Sequence, residues 1–319
     1  MVRRHELTDA QWQTIEALLP ANGKPGGQWA DHRRVINGVL FRARTGVPWP
    51  DLPERYGPWQ TVYERHRRWS ADGTWQQILT ALQIEADATD PDEALTNTVE
   101  KESVQRREWA VNIDSTSCRA HQHAAGARRR PPHDFPQKGG GARVEADGRE
   151  ALGRSRGGLT SKVHLLADDR ARPLTWQTSP GQRGDSPMFI PVLEGLRIRR
   201  RGPGRPRSRP DRVRGDKAYS SYDNRAYLRR RSIKATIAQP DDQRAKRQRK
   251  GSAGGRPPAF DKAQYRHRSA VERCVSKWKQ YRAVASRYDK RDYIFNGTLA
   301  VAAIVIWLRD TVEEPSETA

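Results

Sequence analysis

Apolar residues recur at helical spacing through the first 84 residues of the chain. The pattern predicts helices that begin near residues 8, 31, 58 and 74. The first opens with a capping-box pair, Thr8 and Gln11, and the second ends at Gly46. Four short helices with tight turns favour a helix-turn-helix-like DNA-binding domain over residues 1–84. A plain helical dimerisation domain fits the same pattern.

The pattern changes after a polar stretch, residues 85–108, which is predicted to be a linker. Residues 109–114 alternate apolar and polar positions as a half-buried strand does. Later segments continue with a hairpin, helices and strands, predicted over residues 163–178, 185–196, 212–216, 221–231, 233–238, 261–281 and 292–310. This order is expected of a ribonuclease-H-like α/β core over residues 109–319. Basic loops are predicted at 117–158 and 240–258.

The net charge of the chain limits the kinds of partner that it is expected to bind. Lysine and arginine total 59 residues against 38 aspartates and glutamates, so the 319-residue chain has a formal net charge of +21. Such a charge points to nucleic acid or an anionic membrane. No run of about 18 apolar residues is present, and no apolar stretch follows Met1 as in a signal peptide. Two cysteines cannot build a disulfide framework. We therefore expect a cytoplasmic, nucleoid-associated protein with no membrane partner.

Two acidic residues end predicted strands of the second domain. Asp114 closes the strand that begins at Trp109, and Asp216 follows Gly215 at the end of another. Functional residues of α/β sheets gather outside the carboxyl ends of strands. Carboxylates at that place are the ligands that two-metal phosphoryl transfer requires. Solvated turn residues and helix caps also occupy such positions, so neither acid identifies a metal site alone.

The predicted helix over 261–281 sorts its side chains into two faces. Its apolar positions, among them Trp278, gather on the side expected to meet the core. The other side carries one narrow stripe, made by Tyr265, Arg268, Glu272 and Lys279. An acid in line with a tyrosine and two cations suits a metal ligand flanked by phosphate-binding groups. A solvated helix face fits the same spacing.

The spacing of that stripe resembles the signature of the DDE transposases of bacterial insertion sequences, the IS-four group. Other stretches are similar to its IS-five family and occur in the family's order: residues 46–53, 56–59, 112–116, 153–162, 215–219, 270–274 and 287–290. The resemblance covers nearly the whole chain. It implies a ribonuclease-H-like fold in which Asp114, Asp216 and Glu272 are the catalytic metal ligands.

The resemblance also implies the chemistry and the partners. Two Mg²⁺ or Mn²⁺ ions per active site would serve DNA cleavage at the element ends and joining of the 3′-hydroxyl to target DNA. The first domain would recognise terminal inverted repeats, and a dimer would hold two ends at once. DNA contacts are expected from the stripe and from the basic face of the third helix: Tyr265, Arg268, Lys279, Arg65, Arg67 and Arg68.

Two other functions stay open at this point. A DNA-binding regulator derived from such an enzyme would bind without cutting, although the intact acid triad argues against it. A related metal nuclease would cut without joining, although the stripe around Glu272 favours a protein that binds transposon ends.

Overall fold

Helices dominate the N-terminal part of the computed structural model, which describes residues 4–21, 28–88, 108–127 and 150–312. They are α1 (Asp9–Glu16), α2 (His32–Thr45), α3 (Trp59–Ala71) and α4 (Thr74–Ala88). The capping box predicted at the start of α1 is present: the Gln11 amide donates to Thr8 Oγ1, and the Thr8 amide to Gln11 Oε1, both at 3.2 Å. Gly46 ends α2 with a φ of +71°, which glycine adopts without strain.

One mixed sheet forms the second part of the molecule. Its strands are β1 (Ala110–Ala120), β2 (Gly153–Ser155), β3 (Gly158–Ala167), β4 (Pro173–Pro180), β5 (Arg212–Gly215), β6 (Lys234–Ile237) and β7 (Ser286–Arg287). The long β1 pairs antiparallel with β3 on one edge and parallel with β5 on the other, and β6 continues the sheet in parallel. β4 and β2 pair with the far edge of β3, and β7 with the end of β1. This mixed α/β order agrees with the ribonuclease-H-like core expected from the sequence.

The remaining helices connect and cover these strands. They are α5 (Gln122–Ala125), α6 (Phe189–Glu194), α7 (Tyr222–Arg230), α8 (Asp241–Arg249), α9 (Lys262–Arg266), α10 (Ser269–Lys279), α11 (Arg282–Ala285) and α12 (Asp292–Thr311). Short 3₁₀ turns precede α6 and follow β5, at Ser186–Met188 and Lys217–Tyr219.

The last helix, α12, is the core of the whole molecule. By length and composition it could cross a membrane, but 78% of its apolar window is buried inside the protein. Helices α2, α3 and α4 pack on it, and so do β4 and α10. A continuous hydrophobic cluster therefore runs from the N-terminal helices into the sheet, as in the core helix of a globular protein.

A buried polar joint fixes the N-terminal helices to the sheet. Arg42 of α2 pairs with Asp289 beyond β7 at 3.3 Å, and both side chains are only 4% exposed. Asp289 Oδ2 accepts from Thr298 Oγ1 of α12, which lies 3.2 Å from His66 Nε2 of α3. Arg287, fully buried, donates to the Asp289 carbonyl and to Ser161 of β3. Residues 287–290, singled out by the family resemblance, thus hold two parts of the fold together.

Several predicted boundaries are wrong. α4 continues to Ala88, so residues 85–88 are helical rather than linker; residues 89–107 lie outside the described part. β1, α5, β2 and the start of β3 occupy the described parts of the predicted loop 117–158. α8 and a 3₁₀ turn occupy much of the predicted loop 240–258. The helix predicted over 261–281 is two helices, α9 and α10, with a break at His267 and Arg268.

Candidate active site

Asp114 and Asp216 occupy neighbouring positions on parallel strands. Ile113 of β1 is the register partner of Gly215 of β5, and each is followed directly by one of the two acids. β5 ends there, while β1 runs on beside β3 and β7. The carboxylates therefore meet at the carboxyl end of β5, the place expected of functional residues in an α/β sheet.

Backbone amides hold both carboxylates. Asp114 Oδ1 accepts from the Ser115 amide at 2.8 Å, and Asp216 Oδ1 accepts from the Lys217 amide at 2.5 Å as the cap of a 3₁₀ turn. Burial raises the pKa of Asp114, and the negative charges of Asp216 and Glu272 raise it further; the Ser115 amide and Arg268 act in the opposite direction. The negative charges of Asp216 and Glu272 thus both act on the carboxylate of Asp114.

Arg268 links the third acid to the first. Its Nη2 donates to Glu272 Oε1 at 2.6 Å, and its Nη1 lies 3.5 Å from Asp114 Oδ2. Glu272 stands in the first turn of α10 with its side chain 54% exposed, whereas those of Asp114 and Arg268 are 27% and 19% exposed. A guanidinium group therefore neutralises part of the charge of the acidic cluster.

A second arginine ties the short helix α9 to the sheet below. The buried side chain of Arg214, on β5, donates to Asp169 at 2.6 Å and to Gln264 of α9 at 2.7 Å. Asn112 of β1 donates to the same Asp169 oxygen at 2.9 Å. These bonds fix α9, and with it Tyr265, above the strands that carry the acids.

The stripe predicted on one helix is only partly preserved. Tyr265 and Arg268 stay together, with the guanidinium carbon 5.6 Å from the centre of the ring. Lys279, seven residues after Glu272, lies about 10 Å further along the helix axis. Its charge acts on Cys118, a later residue of β1, and no contact joins it to the acids among the described residues. Lys279 therefore lies beside the site rather than within it.

The donor set fits a divalent ion in its chemistry. Three carboxylates that repel one another gain from sharing a cation, and oxygen ligands are those that Mg²⁺ and Mn²⁺ prefer. Within the described ranges, no three candidate ligands lie close enough together to hold a metal as they stand. Arg268 lies between two of the acids, so metal binding would require its guanidinium to leave Asp114.

The three arginines predicted to form a basic face on α3 lie in different environments. Arg65 is not on a DNA-facing surface: it is 4% exposed, its guanidinium lies 4.1 Å from the Trp29 ring and 5.1 Å from the Trp69 ring, and Nη1 lies 2.7 Å from His32. Arg67 pairs with Glu64 at 2.5 Å. Arg68 is exposed and rests on Trp29. The structure thus buries Arg65, one of the arginines expected to contact DNA, and exposes Arg68 on the same helix.

Sequence reasoning missed a polar cluster behind Asp114. Asp185, the first residue of the helix predicted over 185–196, makes no capping hydrogen bond and contacts Ser115 and Lys162 instead. The alternation of Lys162 and His164 with apolar residues on β3 was the available signal, because both point to one face of the sheet.

Two family comparisons match this chain. Residues 7–79 match a family described as "Putative transposase of IS4/5 family", and residues 105–308 match the "Transposase DDE domain" family. The second match includes all three acids. No solved structure matches the chain.

Three curated proteins are similar to parts of it. The "Uncharacterized protein y4sN" of Sinorhizobium fredii is 38% identical over 39% of this chain and 83% of its own length. The "Putative transposase for insertion sequence element IS6501" of Brucella ovis is 30% identical over 47% of this chain and all of its own length. A 16.2 kDa protein of insertion element IS402 from Burkholderia cepacia is 33% identical over 26% and 62% of the two chains.

Proposed function

Because the chain belongs to the DDE-domain transposases of insertion sequences, we propose that it binds the terminal inverted repeats of its element and cuts the phosphodiesters at their ends. It then joins the freed 3′-hydroxyl to target DNA. The observation that carries this proposal is the pairing of Asp114 and Asp216 at adjacent strand positions, with Glu272 linked to Asp114 through Arg268.

The three acids are the proposed ligands of two Mg²⁺ or Mn²⁺ ions. Such ions, when bound, activate the attacking oxygen and neutralise charge on the phosphate. The chain's own contribution is to hold the carboxylates: the amides of Ser115 and Lys217 fix two of them, and α10 presents the third. Burial is the largest cause of the raised pKa of Asp114, and the charges of Asp216 and Glu272 add a smaller rise that a bound cation would offset.

Arg268 and Tyr265 are the proposed contacts to the transposon end. A guanidinium that already binds two carboxylates offers bidentate geometry equally suited to a backbone phosphate. Transfer of Arg268 from Asp114 to a phosphate would free the carboxylate for metal. Lys279 would contact the same DNA further along α10.

The N-terminal helices are proposed to recognise the terminal repeats, with Arg67 and Arg68 towards DNA. The net charge of +21 supports a polyanionic partner. Holding two element ends requires two active sites, so we propose a dimer on DNA, acting in the nucleoid.

A strand-transfer assay on a short DNA carrying both element ends tests the proposal. Asp114→Asn, Asp216→Asn and Glu272→Gln should each lower cleavage and joining by at least about a hundredfold, since even outer-shell changes at metal sites cost 10–100-fold. Asp223→Asn, an exposed acid in the first turn of α7, is the matched control and should stay active. DNA binding without cleavage by the wild type would indicate a regulator, and cleavage without joining a nuclease.

A further inference from the structure

Asp185 reaches the back of the strand that carries Asp114. It lies in the segment after β4 and is the residue immediately before the Ser186–Met188 turn. Its side chain points to the sheet instead of capping that turn. Its Oδ1 accepts from Ser115 Oγ at 2.7 Å and from Lys162 Nζ at 3.0 Å. His164 Nδ1 lies 3.6 Å from the same oxygen. One carboxylate oxygen thus connects β1, β3 and the turn after β4.

The register places this cluster on the face of the sheet opposite to Arg268. Ser115 is paired with His164, and Ser117 with Lys162, so these side chains share one face. Asp114 precedes Ser115 and points to the other face, where it meets Arg268. Asp185 therefore acts through Ser115, from behind β1.

Tyr219 connects Asp216, the second acid, to the turn that follows Asp185. This residue ends the 3₁₀ turn that Asp216 caps, and its ring packs on Phe189 with centroids 5.7 Å apart. The Asn224 side chain donates to the Tyr219 carbonyl at 3.1 Å and to the Ser186 carbonyl at 3.3 Å, and so bonds this turn to the residue directly after Asp185. The turn that Asp216 caps is consequently fixed to the turn that follows Asp185.

We propose that Asp185, held in place by Lys162, is a positioning residue for Asp114 and Asp216. The inference rests on the proposed function, because positioning has an effect only if these acids bind metal. Asp185 is not itself a ligand: its contacting oxygen is occupied by a serine hydroxyl and an ammonium group, and β1 separates it from Arg268. Side chains that hold metal ligands in this way are worth about 10–100-fold in metal affinity or activity.

Two substitutions separate positioning from simple electrostatics. Asp185→Asn keeps the size of the side chain but removes the charge that holds Lys162. It should weaken Mn²⁺ binding by about tenfold or more. Lys162→Met removes a positive charge, which by Coulomb's law alone would strengthen binding of a cation. If Lys162 instead holds Asp185, Lys162→Met weakens Mn²⁺ binding in the same direction as Asp185→Asn.

The experiment is a titration of the full-length protein with Mn²⁺, free ion being read by electron paramagnetic resonance, without DNA. Asp168→Asn breaks another acid–base pair of the same hairpin, with Arg172, and is the control that should keep wild-type affinity. Ser115→Ala removes only the hydroxyl that bridges Asp185 to β1, and it should weaken Mn²⁺ binding several-fold. This variant tests the positioning role if Asp185→Asn does not fold. Thermal unfolding of each variant identifies loss of fold.

The outcomes distinguish this inference from the proposed function. Wild-type Mn²⁺ affinity in folded Asp185→Asn or Ser115→Ala, or tighter binding in Lys162→Met, overturns the positioning role. If Asp114→Asn also binds Mn²⁺ like the wild type, the assignment of the metal ligands fails as well. Loss of affinity in Asp114→Asn, with smaller losses in the three cluster variants, supports both.

Discussion

Arg268 forms an ion pair with Asp114, with 3.5 Å between Nη1 and Oδ2. In the protein without DNA this guanidinium competes with any cation for the carboxylate. In the presence of DNA the same group is suited to a phosphate. One side chain should thus oppose metal binding before the substrate arrives and assist the substrate afterwards.

Arg268→Gln should therefore raise the affinity for metal and lower the rate of DNA cleavage. Mn²⁺ should bind the DNA-free protein more tightly, by about fivefold if the lost pair contributes about 1 kcal/mol. Cleavage of the element end should fall about tenfold or more, since a charged hydrogen bond contributes about 1.5–3 kcal/mol. Metal titration and a cleavage assay measure the two effects separately.

Arg273→Gln is the matched control for that experiment. Arg273 lies on α10, five residues after Arg268, and donates a hydrogen bond to Ser269. Metal affinity should be unchanged in this variant. Weaker Mn²⁺ binding in Arg268→Gln would show that the arginine supports the metal site rather than competing with it.

Arg65 and Arg68 should give different defects although they lie on one helix. Arg65→Gln should lower the free energy of unfolding by about 2 kcal/mol, because a buried charged hydrogen bond and its packing on Trp29 and Trp69 are lost. Arg68→Gln should leave stability nearly unchanged and weaken DNA binding. Chemical denaturation and a binding titration at fixed salt test the pair; equal stability of the two variants would contradict the assignment.

The joint between Arg42 and Asp289 should stabilise the fold strongly. Asp289→Asn leaves Arg42 buried without its counter-ion and should cost about 3 kcal/mol in the free energy of unfolding. Asp9→Asn breaks the exposed pair with Arg33 and should cost no more than about 1 kcal/mol. Urea denaturation gives both values, and a similar small loss in the two variants would exclude a structural role for the joint.

His66 should make the protein sensitive to acid. Burial lowers its pKa from an ordinary 6.5 to about 4, since the ring lies between α3 and α12. The neutral ring contributes its full stability above pH 6.5, and that stability is lost as the pH falls towards 4. Between pH 7 and pH 5 the loss should be about 2 kcal/mol. His66→Gln should show a smaller loss over this interval when unfolding is measured at both pH values; an unchanged loss would assign it to other groups.

The sequence alone was sufficient to single out two catalytic candidates, Asp114 and Asp216. Asp114 and Asp216 each end a predicted strand, and the pattern of a strand can be recognised without knowing which strands pair with it. Ile113 and Gly215 then proved to be register neighbours. The N-terminal helices were predictable for a similar reason, since caps such as Thr8 and Gly46 are local signals.

Long-range contacts could not be predicted. The helix break at His267 and Arg268 has no glycine or proline to mark it, so a uniform stripe was drawn through two helices. Arg65 was assigned to solvent because its own helix does not contain Trp29, which covers it. The role of Asp185 could not be predicted, because its partners, Ser115 and Lys162, lie far away along the chain. The helix α8, in contrast, could have been predicted from local signals. Pro240 followed by Asp241 and Asp242 is typical of the start of a helix, but the basic composition of the segment favoured a loop.

The helix α12 is shared by the N-terminal helices and the sheet, so the two parts cannot swing apart without exposing a common core. A duplex that lies on the N-terminal helices would reach the acidic cluster at a set number of base pairs from its contact point. Under the proposed function, the packing of α12 would set the distance between the recognised repeat and the cut, and a substitution that tilts α12 would move the cut along the DNA.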